Sequence, residues 1–410
     1  MIGPFLHPFA RPAATEFIDI VAGEGAVVTD ASGRRYVDAM ASLWYCNLGH
    51  GRTEIADAVA AQMRTLAAFH TFEKFTNPPA EQLCALVAEL APVPDARVFL
   101  TSSGSEAVDS AIKLARLAHA VSGNPQRRLI VSRRPSYHGV TYGGMAATGL
   151  PPNQEHFGPM LPDVVQVPHD DLAAAEALFA ERGDEVAAVL AEPVIGAGGV
   201  HPPVPGYLEG LRALCDEHGA YLVLDEVICA FGRLGTWWGA ERYGVRPDLA
   251  TFAKAVTSGY LPLGGVVVGG AVRAALESDP DLVLRHGHTY SGHPSACAAG
   301  VAALGITRRE GLLDRALKIG ERLSAGLRSL AEDGHVAGVR GDGAIWAAAL
   351  HDDLSAPAVR DRMLERGVIP RPIGTSTIAF CPPLVISDAE VDQCVTALEE
   401  AVVAARRQRS

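Results

Sequence analysis

The chain has 410 residues, 35 basic and 47 acidic side chains, a net charge of −12 and 48% hydrophobic residues. The apolar share excludes a disordered or fibrous protein, and the acidic balance leaves no electrostatic footprint for nucleic acid or an anionic membrane surface. At roughly 150 residues per folding unit, the length suggests two or three units.

In chain order, Ile55, Val59, Met63 and Leu66 recur three and four apart after Thr53, a spacing that predicts an amphipathic helix capped by Thr53. A short apolar run at 98–100 predicts a strand, and a helix opens at Ser105 with Val108, Ala111, Ile112 and Ala115 on its inner face. Further runs rich in Val and Leu lie at 129–131, 186–190, 221–224, 249–252 and 266–268. Alternating with helices, they read as strands buried on both faces: an α/β chain with a mostly parallel central sheet flanked by helices. Several end directly in polar or Gly-containing turns, and in such a sheet ligands sit at the carboxyl ends of the strands. After Cys297 the pattern changes to long helices at 312–330, 356–366 and 387–406 with short strands between. The expected organisation is an N-terminal segment, 1–45, joining a small α+β domain at 297–410, with a large domain at 46–296.

The seven cysteines, Cys46, Cys84, Cys215, Cys229, Cys297, Cys381 and Cys394, are scattered, odd in number and never in a CxxC pair. That favours reduced thiols in a cytoplasmic protein over a disulfide framework or zinc cage. No basic N-terminal stretch leads into an apolar one, and no window reaches the ~18 uninterrupted apolar residues of a membrane span. Neither targeting nor membrane insertion is expected.

Three segments carry chemistry. Thr101 to Ala107 (TSSGSEA) closes one strand and opens a helix; free amides at a helix N-terminus, with hydroxyls and a glycine, make a phosphate cradle. Asp225 follows the buried run Leu222-Val223-Leu224, and a carboxylate there needs a cationic partner such as a protonated pyridine nitrogen. Lys254 follows the run at 249–252, and a lysine in a partly dry site loses pKa and can form an imine with an aldehyde. Taken singly, a helix cap, an internal salt bridge and a surface lysine would explain them. Together they supply what a protein needs to hold pyridoxal phosphate.

These residues resemble the fold-type I pyridoxal-phosphate enzymes, specifically the class III (ω-) aminotransferases, over about residues 38–384 and with the motifs in the family's order. The resemblance implies that SGSEA at 103–107 binds the cofactor phosphate through Ser103, Gly104 and Ser105. It gives Tyr137 of the Ser136-Tyr137-His138-Gly139 segment the role of stacking on the ring, with His138 beside it. Glu192, opening a turn similar to EPVxGxGG, would lie beside the ring-nitrogen acid. The DEV and FGR signatures at 225–227 and 231–233 give Asp225 the pyridine nitrogen and Val227 the opposite ring face. Lys254 matches the imine-forming lysine, and Thr289 in HGHTYSGHP matches a threonine that reaches the partner subunit's phosphate. A homodimer with sites at the subunit interface is thereby implied. Ala255, Ala230 and Ser102 depart from the family pattern by a methyl or a trimmed side chain. The histidines at 286 and 288 have no carboxylate or further His at a recognisable spacing, so no metal is expected.

By the same resemblance, Arg371 in Arg371-Pro372-Ile373-Gly374 corresponds to the arginine with which the amine:pyruvate branch pairs the oxo acid's carboxylate. A guanidinium fork suits that task, although an ordinary surface ion pair would also account for it. The ornithine-type branch carries its arginine where this chain has Ala379. Leu43-Trp44-Tyr45 resembles the branch's aromatic entrance segment, with Trp44 and Tyr45 receiving the amine's side chain; a core Trp is the competing reading. The expected activity is transfer of an amino group from an amine to an oxo acid, pyruvate foremost, by a ping-pong route with Lys254 as proton shuttle. A decarboxylase, an aminomutase, an amino-sugar or 2-oxoglutarate transaminase, and a non-catalytic binding protein on the same fold stay open.

Overall fold

The segment Val186–Ala191 (VAAVLA) is buried at every position, as befits a strand covered on both faces. It lies near the middle of a seven-stranded sheet in the computed structural model, which describes residues 4–407. Residues 1–3 and 408–410, the outer ends of the expected N-terminal segment and small domain, lie outside the described residues.

The strands of this sheet, numbered along the chain, are β1 (Arg97–Thr101), β2 (Leu129–Arg134), β3 (Val164–Pro168), β4 (Val186–Ala191), β5 (Tyr221–Asp225), β6 (Leu249–Phe252) and β7 (Gly264–Val268). Their spatial order is β1-β7-β6-β5-β4-β2-β3. Neighbours from β6 through β3 are parallel, whereas β7 runs against both β1 and β6. The apolar run at 266–268 is therefore the reversed strand of the sheet. Residues 253–263, which join it to β6, hold no crossover helix of the kind a parallel connection requires. Strand β3 had no clear signature: it is an outer strand, only half-buried, interrupted by Gln166 and ended by Pro168.

Helix α1 (Gly104–Val121) follows β1 and buries Val108, Ala111, Ile112 and Ala115, the inner face expected from the sequence. It begins one residue earlier than the periodicity indicates. The helix expected after Thr53 spans Thr53–Thr65, but Arg52 occupies the cap position without a side-chain cap bond, and Thr53 is already helical. Of its apolar stripe, Ile55 is buried and Val59 partly so, while Met63 and Leu66 are exposed, Leu66 lying beyond the helix.

The N-terminal strands Ile20–Glu24, Val27–Asp30 and Arg35–Asp38 form an antiparallel meander. Val368–Ile369 adds to it in parallel, opposite Val37 and Asp38. Two residues on, the chain enters another sheet, ordered Gly338–Asp342, Ile345–Ala349, Thr377–Phe380, Arg371–Ile373. Helices Leu312–Glu332, Ala356–Glu365 and Asp388–Arg407 cover this region. The boundary expected at 297 falls inside a helix, Pro294–Arg309. Ala296, Cys297 and Leu304 of that helix join the central-sheet core, whereas Ala299, Ala303 and Ile306 join the C-terminal core, so one helix fastens the two. Among the described residues, no helix is long and apolar enough to cross a membrane.

Candidate active site

Because β1, β2, β4, β5 and β6 point one way, the residues that follow them emerge along one edge of the sheet. They are Ser102 to Ser105 after β1, Tyr137 and His138 after β2, Glu192 after β4, Asp225 closing β5 and Lys254 after β6. All line one cavity of ≈ 400 Å³, together with Tyr45, Val227, Ile228, Gly259, Leu261, Pro262 and Leu263. Residues 261–263 lead into the reversed strand β7. Reversal of that strand thus brings three apolar walls to the edge where the polar groups emerge.

At one end lies the start of α1. Ser103 is its N-cap, with Oγ accepting from the Glu106 amide at 3.2 Å. Glu106 returns its carboxylate to the Ser102 amide at 2.7 Å, a reciprocal arrangement close to a capping box. The Gly104 and Ser105 amides, in the first turn, have no intrahelical acceptor and so are available to an anion. The next loop is pressed against them: a Cβ on Gly139, whose φ is +110°, would fall 2.5 Å from Ser105 Oγ. Glycine is required there because the left-handed backbone and the close approach both exclude a side chain.

Asp225 is buried and fully engaged. Its Oδ2 accepts from His138 Nδ1 at 2.8 Å, and its Oδ1 from Thr251 Oγ1 at 3.1 Å and the Val227 amide at 3.2 Å. His138 Nε2 is buried without a partner, which assigns the imidazole proton to Nδ1. Glu192 Oε1 accepts from the Tyr137 amide at 3.0 Å and Oε2 from the Gly196 amide at 2.8 Å. Burial holds this carboxyl above its ordinary pKa. Burial also pulls the Lys254 ammonium below the ordinary lysine value, against the opposing pull of Asp225 and then Glu192. Lys254 itself sits at φ +48°, a left-handed conformation that costs a non-glycine residue about 1–3 kcal/mol and clusters at functional sites.

Three residues singled out in the sequence are not among those lining the cavity. Trp44 is 3% exposed and packs with Val194, Val200, Ile228, Cys229 and Ala379; it is a core residue, and its neighbour Tyr45 supplies the aromatic wall. Thr289 is exposed in a turn. Arg371 is half-buried in the strand Arg371–Ile373, close enough to Tyr137 for the two to perturb each other electrostatically. Its guanidinium makes no ion pair or hydrogen bond among the described residues. Its cross-strand partner is Ala379. Directly opposed residues project to the same face, so arginine at either position serves the same side of the sheet.

Thr251, which steadies Asp225, escaped sequence reasoning, as did the walls Ile228, Leu261, Pro262 and Leu263. A threonine inside the buried run Leu249-Ala250-Thr251-Phe252 was the available signal, because a buried hydroxyl must find an acceptor. Among the described residues, no group of three or more His, Cys, Asp or Glu side chains could hold a metal ion.

The donor set fits pyridoxal phosphate: helix-terminal amides and serines for the phosphate, a three-times-bonded carboxylate for a protonated ring nitrogen, and a depressed-pKa amine for the aldehyde. The family model of class-III aminotransferases matches residues 9–402. The chain is similar to the β-alanine–pyruvate aminotransferase of Pseudomonas aeruginosa, at 36% identity over 93% of this chain and 91% of that one. It superposes on a transaminase from the marine bacterium Virgibacillus with a TM-score of 0.95 and 36% identity, covering 99% of this chain and 98% of the other. An amine transaminase from an uncultivated Pseudomonas species, in its pyridoxal-phosphate-bound form, gives 0.94 and 35%, covering 98% and 99%.

Proposed function

The chain belongs to the class-III aminotransferase family, with pyridoxal phosphate as cofactor, and on that premise we propose that it moves an amino group from an amine or ω-amino donor to pyruvate. Pyridoxal phosphate supplies an electron sink and a carbonyl that carries the amino group between the two substrates. The Ser103, Gly104 and Ser105 turn holds the phosphate, Tyr137 and Val227 flank the ring, and Asp225 keeps the ring nitrogen protonated. His138 and Thr251 hold the Asp225 carboxylate in place, and Glu192 braces the Tyr137 backbone. Lys254 Nζ would take the proton from the donor's amine-bearing carbon and hand it on beyond the donor nitrogen, two bonds away. A depressed amine pKa suits that exchange, since a base works best near the operating pH. Two substrates use one cavity in turn, and ping-pong kinetics follow.

The observation that carries the oxo-acid half is Arg371, a half-buried guanidinium beside Tyr137 with no ion pair or hydrogen bond of its own among the described residues. A carboxylate brought into the cavity supplies the missing partner, bidentately. The exposed Thr289 completes the phosphate site of a second copy. Exposed rings support such an interface: Phe69, Phe72 and Phe75 join through His70 in one aromatic group, and Tyr290, next to Thr289 in the chain, is exposed as well. Thr71 ties that group to the Thr289 loop, its Oγ1 donating to the Ser291 carbonyl at 2.9 Å. The buried free cysteines suit a reducing cytoplasm.

The test is the absorbance spectrum of the cofactor-loaded protein, titrated with a panel of amines and then with pyruvate or 2-oxoglutarate. Bleaching by an amine and recovery with pyruvate support the reading. Recovery with 2-oxoglutarate alone replaces the acceptor, and a band that no amine bleaches overturns transamination in favour of decarboxylation or an intramolecular amino shift.

A further inference from the structure

Tyr45 reaches the cavity wall through a backbone that no local preference explains. Between the end of Arg35–Asp38 and Tyr45, φ is positive at Ala41 (46°), Ser42 (59°) and Trp44 (68°). Each such residue costs about 1–3 kcal/mol and persists only where its surroundings over-determine it. Asp38 provides that restraint. It is buried; its Oδ2 accepts from the Ser42 amide at 2.6 Å and from His50 Nε2 at 3.0 Å, and its Oδ1 from the Met40 amide at 3.3 Å. Ser42 Oγ in turn donates to the Tyr45 hydroxyl at 2.6 Å. On its other side the Tyr45 ring rests on Gly259, where a Cβ would fall 2.2 Å from Tyr45 Cδ2. His50 is fixed by Asp38 and by Cys46, whose Sγ is 3.8 Å from His50 Nδ1. The Asp38 hydrogen bond, then Cys46, raises the His50 pKa to about 10, so the pair is ionic at neutral pH.

We propose that Asp38 and His50 are positioning residues for the donor amine: their ion pair holds the strained 41–44 turn so that Tyr45 stands as a fixed wall and limits the donor side chain admitted to Lys254. This rests on the aminotransferase reading. The relay runs from His50 through Asp38 and Ser42 to Tyr45, and neither Asp38 nor His50 lines the cavity. Without the ion pair the strained turn relaxes, Tyr45 leaves Gly259, and bulkier amines gain access while small ones lose a contact surface.

The experiment uses cofactor-loaded protein with a small and a bulky primary amine, comparing wild type, His50→Gln, Tyr45→Ala and the double variant. His50→Gln is expected to raise KM for the small amine about tenfold with kcat within about twofold, and to shift preference toward the bulky amine by a similar factor. In the Tyr45→Ala background it adds nothing. Unchanged kinetics, or a His50→Gln effect that persists undiminished without Tyr45, overturns the proposal. Amide hydrogen exchange gives a readout independent of turnover: peptides covering 41–46 exchange at least about tenfold faster in His50→Gln while those of α1 do not change. Equal exchange in the two proteins overturns the positioning role. If the wild-type protein turned over no amine, the aminotransferase reading would fall, and exchange would still decide whether His50 holds the turn.

Discussion

The two ends of the cavity are built differently. At the cofactor end, Ser103 to Ser105, Asp225 and Lys254 each directly follow or close a strand of one sheet, and Asp225 accepts three hydrogen bonds from within that sheet's own strands and turns. Toward the substrate end, Tyr45 stands on a strained turn held by Asp38, while Arg371, outside the cavity lining, belongs to a strand of another sheet, its guanidinium without an ion pair or hydrogen bond among the described residues. One end has its buried carboxylates hydrogen-bonded before anything binds; the other has an unpaired cation nearby and a wall dependent on remote contacts. The cofactor must be held in one geometry throughout, whereas two substrates must alternate, and rigidity and adaptability are divided accordingly.

That contrast makes an ordered set of expectations. Changes at the cofactor end should act on all substrates alike, and those at the substrate end should divide them. Lys254→Ala should lower turnover by about 10³-fold or more with every amine and oxo acid while the cofactor still binds without a covalent link, as steady-state kinetics and the absorbance spectrum would report. Asp225→Asn, which exchanges the carboxylate for a neutral amide against His138 and the ring nitrogen, should cost about 10²-fold or more in turnover and weaken cofactor binding in equilibrium dialysis. A substrate-selective loss from either variant would break the contrast.

Arg371→Ala should raise KM for pyruvate by about 10- to 100-fold, the worth of a charged hydrogen-bonded pair, and leave a simple amine within a few-fold; equal effects on both partners would remove Arg371 from the site. Gly259→Ala places a methyl against Tyr45 at a φ of +78°, and a stability loss of about 1–2 kcal/mol in denaturant titrations is expected. The smallest effect concerns pH. The His50 pKa is raised from 6.5 to about 10 by Asp38 and Cys46, so its contribution to stability is fully present below about pH 6.5 and fades as pH rises through about 10. Thermal unfolding of wild type and His50→Gln should therefore differ in acid and converge in alkali; curves that stay parallel would deny the pairing.

The legible parts were local. Each apolar run read as a strand is one, although 98–100 lies in β1 at the sheet's edge and is only partly buried; a stretch such as Val186–Ala191 announces two-sided burial by composition. The helix on Ser103 is equally local, a cap followed by a periodic inner face. Strand β3 was lost because an outer strand is only half-covered and carries Gln166 and Pro168. Met63 and Leu66 were placed on a buried face by periodicity, yet both are exposed: spacing tells which residues share a face, not what that face meets.

From sequence alone came the strand-end motifs, since a strand, the turn that ends it and the helix cap that follows are contiguous, and, through the family those motifs resemble, the cofactor and the reaction class. Tertiary structure alone decided the substrate end. Trp44 and Tyr45 are adjacent in sequence and both aromatic, yet one is buried in the core and the other faces the cavity. Likewise Arg371 is set opposite Ala379 by strand register. Side-chain direction on a backbone at positive φ is dictated by the contacts that stabilise it, here Asp38 with His50 and the ring against Gly259. Those contacts join residues distant in the chain, and no local pattern encodes them.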